Sequence, residues 1–95
     1  MASRPPVTLQ EDWETTLRPW LDRVARQLEV DGVALDVDRV HQMTGVVAEG
    51  VQRSMAPISA FLVGAAVARG ASLEEACAAV ETISAPAETV PSAAP

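Results

Sequence analysis

The sequence predicts an all-α protein, a compact bundle of about four short helices with a central apolar third helix. Four segments place apolar residues at spacings of three and four, which is the period of an amphipathic helix. Turn residues, among them Asp31-Gly32, Pro57 and Gly70, separate these segments. Hydrophobic residues make up 48% of the 95 residues but aromatic residues only 3%, so Val, Leu, Ile and Ala must fill a core that suits close helix packing.

The first helix has an ambiguous start. Thr8 and Glu11 have the spacing of a capping box, but Pro19 lacks an amide hydrogen and would kink a helix that continued through it. We therefore expect a short turn over 9–15, then a main helix capped by Thr16 with Pro19 in its first turn. Its apolar stripe comprises Leu17, Trp20, Leu21, Val24 and Leu28.

The second helix is predicted to begin at Asp36, with the charge of Asp38 favourable at the positive helix end. Met43 and Val46 lie beside its main stripe, so we expect contact with two neighbours. Pro57 suits the first turn of a following helix, which places the break at 54–56. The main stripe comprises Val37, Val40, Thr44, Val47, Ala48 and Val51.

The third helix, 57–69, carries no charge before Arg69. One face comprises Ile58, Phe61, Leu62 and Ala65, and the remaining faces are also apolar. A helix that is apolar all round is typically surrounded by protein, so we expect this one to be buried centrally. Gly64 inside it predicts close approach by a neighbouring helix.

The fourth helix follows a stop at Gly70 and opens with a capping box of Ser72 and Glu75. Pro86 ends the periodic pattern. The residues predicted to face inward are Leu73, Ala76, Cys77, Val80 and Ile83, and those predicted to face solvent are Glu74, Glu75, Glu81 and Thr82.

The chain length allows one small domain, which we place at 16–84. Residues 1–15 read as a partly disordered N-terminal extension. Residues 85–95 are rich in Pro and Ala and poor in bulky side chains, which predicts a disordered tail.

Composition excludes several classes of ligand and location. Seven basic residues, all Arg, against thirteen acidic ones give a net charge of −6, which argues against nucleic acid or an anionic membrane as the main partner. The longest uncharged run, 54–68, would span about 22 Å as a helix, less than the ~30 Å of hydrocarbon in a bilayer. One Cys cannot form an internal disulfide, and the N-terminus has no apolar signal segment, so we expect a cytoplasmic protein.

Few residues could carry chemistry. His41 is the one side chain with an ordinary pKa near neutrality, but no triad spacing accompanies it, and Cys77 sits in an apolar stripe that favours packing over reactivity. The acidic residues around Asp36 match no calcium loop, so we predict no catalytic residues and no metal or other cofactor. Arg53 and Arg69 either complement helix C-termini or grip an anionic group. On the second reading the candidate interaction surface comprises Arg53, Ser59, Arg69, Glu49 and His41.

A family resemblance is carried by 47–70, VAEGVQRSMAPISAFLVGAAVARG. The segment contains V-A-x-G-V-x-R, then A-P-I-S-x-F-L-x-G, then A-R-G, and a weaker match includes Trp20-Leu21 and LDVDRV at 35–40. Over about 16–84 the chain resembles a small actinobacterial domain of unknown function, found alone or behind a MobA-like molybdenum-cofactor nucleotidyltransferase domain. The resemblance supplies no catalytic residues.

Two functions are favoured at this point over a third, a small enzyme or ligand-binding domain that would use His41, Arg53 or Arg69. The resemblance implies a non-catalytic accessory or protein-interaction domain in molybdenum-cofactor handling or in maturation of a molybdoenzyme of the formate dehydrogenase type. Its partner would be that enzyme or a cofactor-synthesis protein. The alternative is a self-associating helical module that forms a homodimer and has no cofactor role, because apolar surface occurs on more than one side of two helices.

Overall fold

A computed structural model describes residues 5–85, and in that range the chain is all-α with four helices and no strand. This confirms the predicted fold class. The helices are α1 (Arg18–Gln27), α2 (Val37–Gly50), α3 (Ala56–Ala68) and α4 (Leu73–Ser84). Shorter helical turns occur at Val7–Leu9, Trp13–Leu17 and Arg53–Met55. The disorder predicted for 1–4 and 86–95 falls outside the described residues.

The chain divides into two compact units, with the boundary between Asp38 and Arg39 in the first turn of α2. The sequence did not indicate this division. In the first unit, Thr8 binds Asp38: its hydroxyl donates to Oδ2 and its amide donates to Oδ1 at 3.5 Å. Thr8 therefore makes a contact distant in sequence, and the short turn that contains it has no side-chain cap. The capping box predicted with Glu11 is wrong.

Helix α1 begins one residue later than a cap at Thr16 would require. A π-helical turn over Trp13–Leu17 runs directly into it, and the amide of Arg18 donates to the carbonyl of Trp13. No side-chain cap is present because that turn already engages the amide that a cap would have satisfied. Pro19 is the second residue of α1, as predicted, where the missing amide hydrogen costs little.

The end of α1 depends on Glu29, whose φ of 61° lies in the left-handed region. The amide of Glu29 donates to Arg26 O at 3.0 Å and that of Val30 to Ala25 O at 2.9 Å. These two bonds form a Schellman motif, which normally places glycine at this position. The turn residues Asp31-Gly32 lie beyond this stop.

The second unit has a small core formed by Met43 and Val47 of α2, Val63 of α3 and Cys77 of α4. Met43 and Cys77 are completely buried. The surrounding partly buried residues are Val40, Val67, Leu73, Ala76 and Val80. Met43 was predicted to lie beside the main stripe of α2, but it lies at the centre of the core, and Val51 of that stripe is exposed.

The breaks between the helices of the second unit follow local chemistry. Arg53–Met55 forms a single 3-10 turn, and Pro57 lies in the first turn of α3. Gly70, with φ 108°, stops α3 in a second Schellman motif. Ser72 caps α4 by accepting a hydrogen bond from the amide of Glu75 at 2.9 Å. The position of Pro57, the stop at Gly70 and the cap at Ser72 are as predicted, and the break before α3 lies one residue earlier than 54–56.

Helix α3 packs on one side only, so the expectation that it is surrounded is wrong. Its buried residues are Ser59 and Val63, whereas Ile58, Phe61 and Leu62 are exposed. Gly64 has nothing within 4 Å of the position of an added Cβ, so no neighbouring helix approaches there. In α4 the prediction fails similarly for Ile83, which is exposed, while Cys77 is buried as predicted.

Close backbone approach occurs instead at Gly50, the last residue of α2. A Cβ at Gly50 would lie 1.8 Å from the carbonyl oxygen of Ser84, the last residue of α4. Ser84 is itself buried, and its hydroxyl donates to Val80 O at 2.7 Å. Glycine is therefore required where the C-terminal ends of α2 and α4 meet.

We predict that Gly50→Ala lowers the free energy of unfolding by about 2–3 kcal/mol, because the methyl group displaces the backbone of Ser84. Gly45→Ala is the matched control: Gly45 lies inside the same helix in open space, and alanine there raises the free energy of unfolding by about 0.5–1 kcal/mol. Urea denaturation followed by circular dichroism measures both variants. Equal stability of the two variants would contradict the close approach at Gly50.

We predict that Glu29→Gly raises the free energy of unfolding by about 0.5–1 kcal/mol, because glycine adopts the left-handed conformation without the clash of a Cβ. Arg23→Gly, at an exposed position within α1, lowers it by about 1 kcal/mol. Thermal or urea unfolding measures both changes in the free energy of unfolding. Changes of opposite sign distinguish the left-handed backbone at Glu29 from a general effect of glycine. A loss of stability in Glu29→Gly would contradict the motif.

Candidate functional site

The most prominent surface feature of the second unit is an apolar stripe along α3. The exposed fraction is 51% for Ile58, 75% for Phe61 and 59% for Leu62. Ala65 is also exposed and continues the stripe, and Met55, just before the helix, is 43% exposed. We call Met55, Ile58, Phe61, Leu62 and Ala65 the α3 face.

Helical geometry explains why one helix has both a core side and this face. Residues three, four and seven apart lie on the same side of a helix, which places Ile58, Phe61, Leu62 and Ala65 together. Ser59 and Val63 lie about 100–140° around the axis and enter the core. The four residues that the sequence placed on one face of α3 do lie together, but they face solvent instead of the core.

Ser59 does not belong to any exposed surface, which corrects its place among the candidate residues. It is buried, and its hydroxyl lies 2.7 Å from the carbonyl oxygen of Ala56 and 3.5 Å from Sδ of Met43. Ser59 and Met43 therefore link α3 to α2 inside the core. The hydroxyl satisfies its hydrogen bond within its own helix turn, which makes its burial inexpensive.

The other four candidate residues are exposed. Arg69 caps the C-terminus of α3 and lies one turn beyond Ala65 of the α3 face. Arg53 lies in the 3-10 turn before α3 instead of at the end of α2, so it does not complement the C-terminal charge of α2. Glu49 and His41 lie on α2. Between residues 5 and 85, no ion pair joins any of these four side chains.

A charged cluster that the sequence did not predict joins α2 to α4. Arg39 is only 13% exposed and donates to two carboxylates of α4. Its Nη1 and Nη2 lie 2.7 Å and 2.9 Å from the two Oε atoms of Glu81, and its Nε and Nη2 lie 2.7 Å and 3.2 Å from those of Glu74. Glu74 and Glu81 are seven residues apart, so both lie on the same side of α4.

The two carboxylates contribute unequally. Glu81 is 21% exposed and Glu74 is 70% exposed, so the Arg39–Glu81 pair is the better shielded from water. The hydrogen bond from Arg39 lowers the pKa of Glu81, and the hydrogen bonds from Glu81 and then Glu74 raise the pKa of Arg39. Each of these two shifts favours the charged form of its group. The cluster is therefore a structural clamp between two helices.

The sequence carried one signal for this clamp. Arg39 lies one turn before Met43 and two turns before Val46, on the second apolar side of α2, where a long charged side chain needs a partner close to the core. Glu81 was predicted to face solvent because carboxylates are usually exposed. Its partner Arg39 is 42 residues away in sequence, and helix periodicity does not reveal contacts between such distant residues.

Other chemistry is sparse in the described part of the chain. Between residues 5 and 85, no three His, Cys, Asp or Glu side chains cluster in a way that could hold a metal ion. Cys77 is buried in the core, which favours packing. In the same range, no helix has the length and apolar character needed to cross a membrane.

Comparison with known families gives one match. The chain belongs to the family described as domain of unknown function DUF6457, which matches residues 12–95. The matched range is wider than 16–84 at both ends. No curated protein and no solved structure matches the chain.

We predict that Glu81→Gln lowers the free energy of unfolding by about 1–3 kcal/mol at neutral pH, because it weakens a charge-assisted pair that is largely shielded from water. Glu74→Gln removes the same charge from the same helix but costs less than about 1 kcal/mol, since Glu74 is exposed. Urea denaturation of the three proteins measures the difference. Equal losses would contradict the assignment of Glu81 as the main partner.

The contribution of Glu81 also depends on pH. Because folding lowers its pKa from the ordinary 4.5, its stabilisation is complete well above pH 4.5 and is lost as the pH falls through the lower folded-state pKa. The stability difference between the wild-type protein and Glu81→Gln should therefore be constant near neutrality and shrink in acid. A difference that grows as the pH falls would have the wrong sign for this pair.

Proposed function

We propose that this chain is a non-catalytic protein-interaction domain and that the α3 face is its binding surface. The observation that supports this is the exposure of Phe61 between Ile58 and Leu62 on a regular helix of a protein with few other aromatic side chains. Three adjacent large apolar side chains in water are unfavourable, and burying them against a partner releases that cost. Aromatic side chains are frequent energetic centres of such interfaces.

The charge pattern favours a protein over other partners. Helix α3 carries no charged residue from Ala56 to Ala68, and Arg53 and Arg69 lie beyond its two ends. An uncharged face with two arginines is a poor match for a nucleic-acid backbone, and the net charge of −6 opposes approach to any polyanion. The family itself carries no assigned activity.

We also propose that the domain catalyses no reaction. His41 is exposed on α2, and Cys77 is completely buried in the core. These two side chains are the ordinary candidates for acid–base and nucleophilic work in this composition. We propose that the domain acts by binding, without a cofactor of its own.

The proposed partner comes from the family resemblance. A domain that occurs beside MobA-like nucleotidyltransferase domains in actinobacteria would serve molybdenum-cofactor handling in the cytoplasm. Its partner would be a molybdoenzyme of the formate dehydrogenase type or a protein of cofactor synthesis. The physical properties of the chain are compatible with such an accessory role.

Capture from a native actinobacterial extract tests this proposal. The full-length chain as bait should recover a molybdoenzyme or a cofactor-synthesis protein, identified by mass spectrometry. Phe61→Glu should reduce the recovery about tenfold or more, because the charge lies at the centre of the α3 face. Gln42→Glu adds the same charge at an exposed position of α2 and should recover as much as the wild-type chain.

Two results would contradict different parts of the proposal. Recovery of proteins unrelated to molybdenum would exclude the proposed partner class. Equal recovery by the wild-type chain and by Phe61→Glu would exclude the α3 face. Circular dichroism of both variants checks that they are folded.

A further inference from the structure

We infer that, when no other partner is present, the α3 face binds a second copy of this chain and forms an antiparallel α3–α3 pair. This deepens the proposed function, on which it rests for the assignment of protein binding to the α3 face. It goes further by naming what covers the face in the isolated protein.

The first argument is the symmetry of the stripe. Ile58, Phe61, Leu62 and Ala65 are separated by three, one and three residues, so the pattern is the same when read from either end. A two-fold axis between residues 61 and 62 therefore superposes the stripe of one copy on that of the other. A two-fold interface uses the same patch on both copies, and this spacing lets each residue of the stripe meet a stripe residue of the other copy.

The second argument is the fit of the side chains across that axis. Ile58 of one copy faces Ala65 of the other, which pairs a large residue with a small one at each end. Phe61 faces Leu62 of the other copy in the middle. Gly64, with open space where a Cβ would lie, leaves room beside Phe61 for the ring of the second copy. Each end of the pair thus joins a large residue to a small one, and the two large residues in the middle lie beside the space at Gly64.

The third argument is area. From their exposed fractions, the residues of the α3 face present roughly 500 Å² in each copy, or about 1,000 Å² across the pair. Specific interfaces begin at about this size, so the α3 face is large enough for a dimer but not for a very tight one. We therefore expect dissociation in the micromolar range.

The fourth argument is charge. No charged residue lies within α3, so nothing inside the contact repels the second copy. An antiparallel pair places the Arg53 end of one helix at the Arg69 end of the other, and each copy carries a net charge of −6. The arginines at each end repel each other, and so do the two negatively charged copies, but salt screens both repulsions. The dimer should therefore become tighter as salt rises, whereas association through ion pairs would weaken.

The oligomeric state of the purified full-length chain tests the inference. Sedimentation velocity and light scattering between about 5 and 200 µM should show a species of twice the chain mass of 10.0 kDa, with the dimer fraction rising with concentration and with salt. Phe61→Glu and Leu62→Glu should raise the dissociation constant about tenfold or more. Gln42→Glu should behave as the wild-type chain.

Cysteine cross-linking tests the antiparallel geometry. When Ile58→Cys and Ala65→Cys proteins are mixed under a mild oxidant, the disulfide between the two different variants should dominate, because the axis places these positions opposite each other. Disulfides between two Ile58→Cys chains should be minor, since those positions lie about 10 Å apart along the pair. Cys77 is buried and serves as an internal control for nonspecific oxidation.

The outcomes separate this inference from the proposed function. A single-chain mass at about 200 µM would overturn the dimer while leaving the capture experiment to decide the partner. A dimer that persists in both glutamate variants, or one that cross-links mainly through two Ile58→Cys chains, would also overturn it. A dimer with the expected variants and cross-links, together with failed capture, would support the α3 pair and reject the molybdenum partner.

Discussion

The second unit depends on a core of four buried side chains, in which Met43 and Cys77 are completely shielded from water. Each of α2, α3 and α4 contributes at least one side chain to it, so this core joins all three helices. A core this small contains only aliphatic and sulfur side chains, which are modest in volume, and helices must come close together to fill the space between them. The glycine at Gly50 and the clamp at Arg39 both follow from that closeness.

Gly50 and Arg39 fix the two ends of the same helix pair. Arg39, near the start of α2, reaches Glu74 and Glu81 of α4, and Gly50, at the end of α2, meets the backbone of Ser84. A charged clamp has a defined geometry, whereas a small apolar core does not by itself exclude a sliding or rotated helix. The clamp and the close approach therefore specify the register of α2 on α4, and the core supplies most of the hydrophobic stabilisation.

Features set by local chemistry could be predicted from the sequence, and features set by contacts between distant residues could not. Gly70 and Ser72 were predicted correctly because caps involve residues within one turn of each other. Gly50 could not be distinguished from Gly64, since both lie in helices and only the position of Ser84 separates them. For the candidate surface, Arg69 and the stripe of α3 were identifiable from spacing, but the burial of Ser59 was not, because periodicity does not say which apolar side of a helix meets the core.

Helix α3 illustrates this last limit most clearly. A helix that is apolar on every side can be surrounded within its own chain, or it can pack on one side and present the other to a partner. The sequence pattern is the same in both arrangements. The exposure of Phe61 shows that α3 packs on one side only within its own chain. The same residues then explain the composition: a chain with 48% hydrophobic residues and a core of four side chains has more apolar surface than it can bury alone. Part of this excess forms the stripe of α3, and the rest includes Trp20, Leu28, Val33 and Leu35, which are exposed in the first unit. Among these exposed side chains, the α3 face stands out because its members lie side by side on one regular helix.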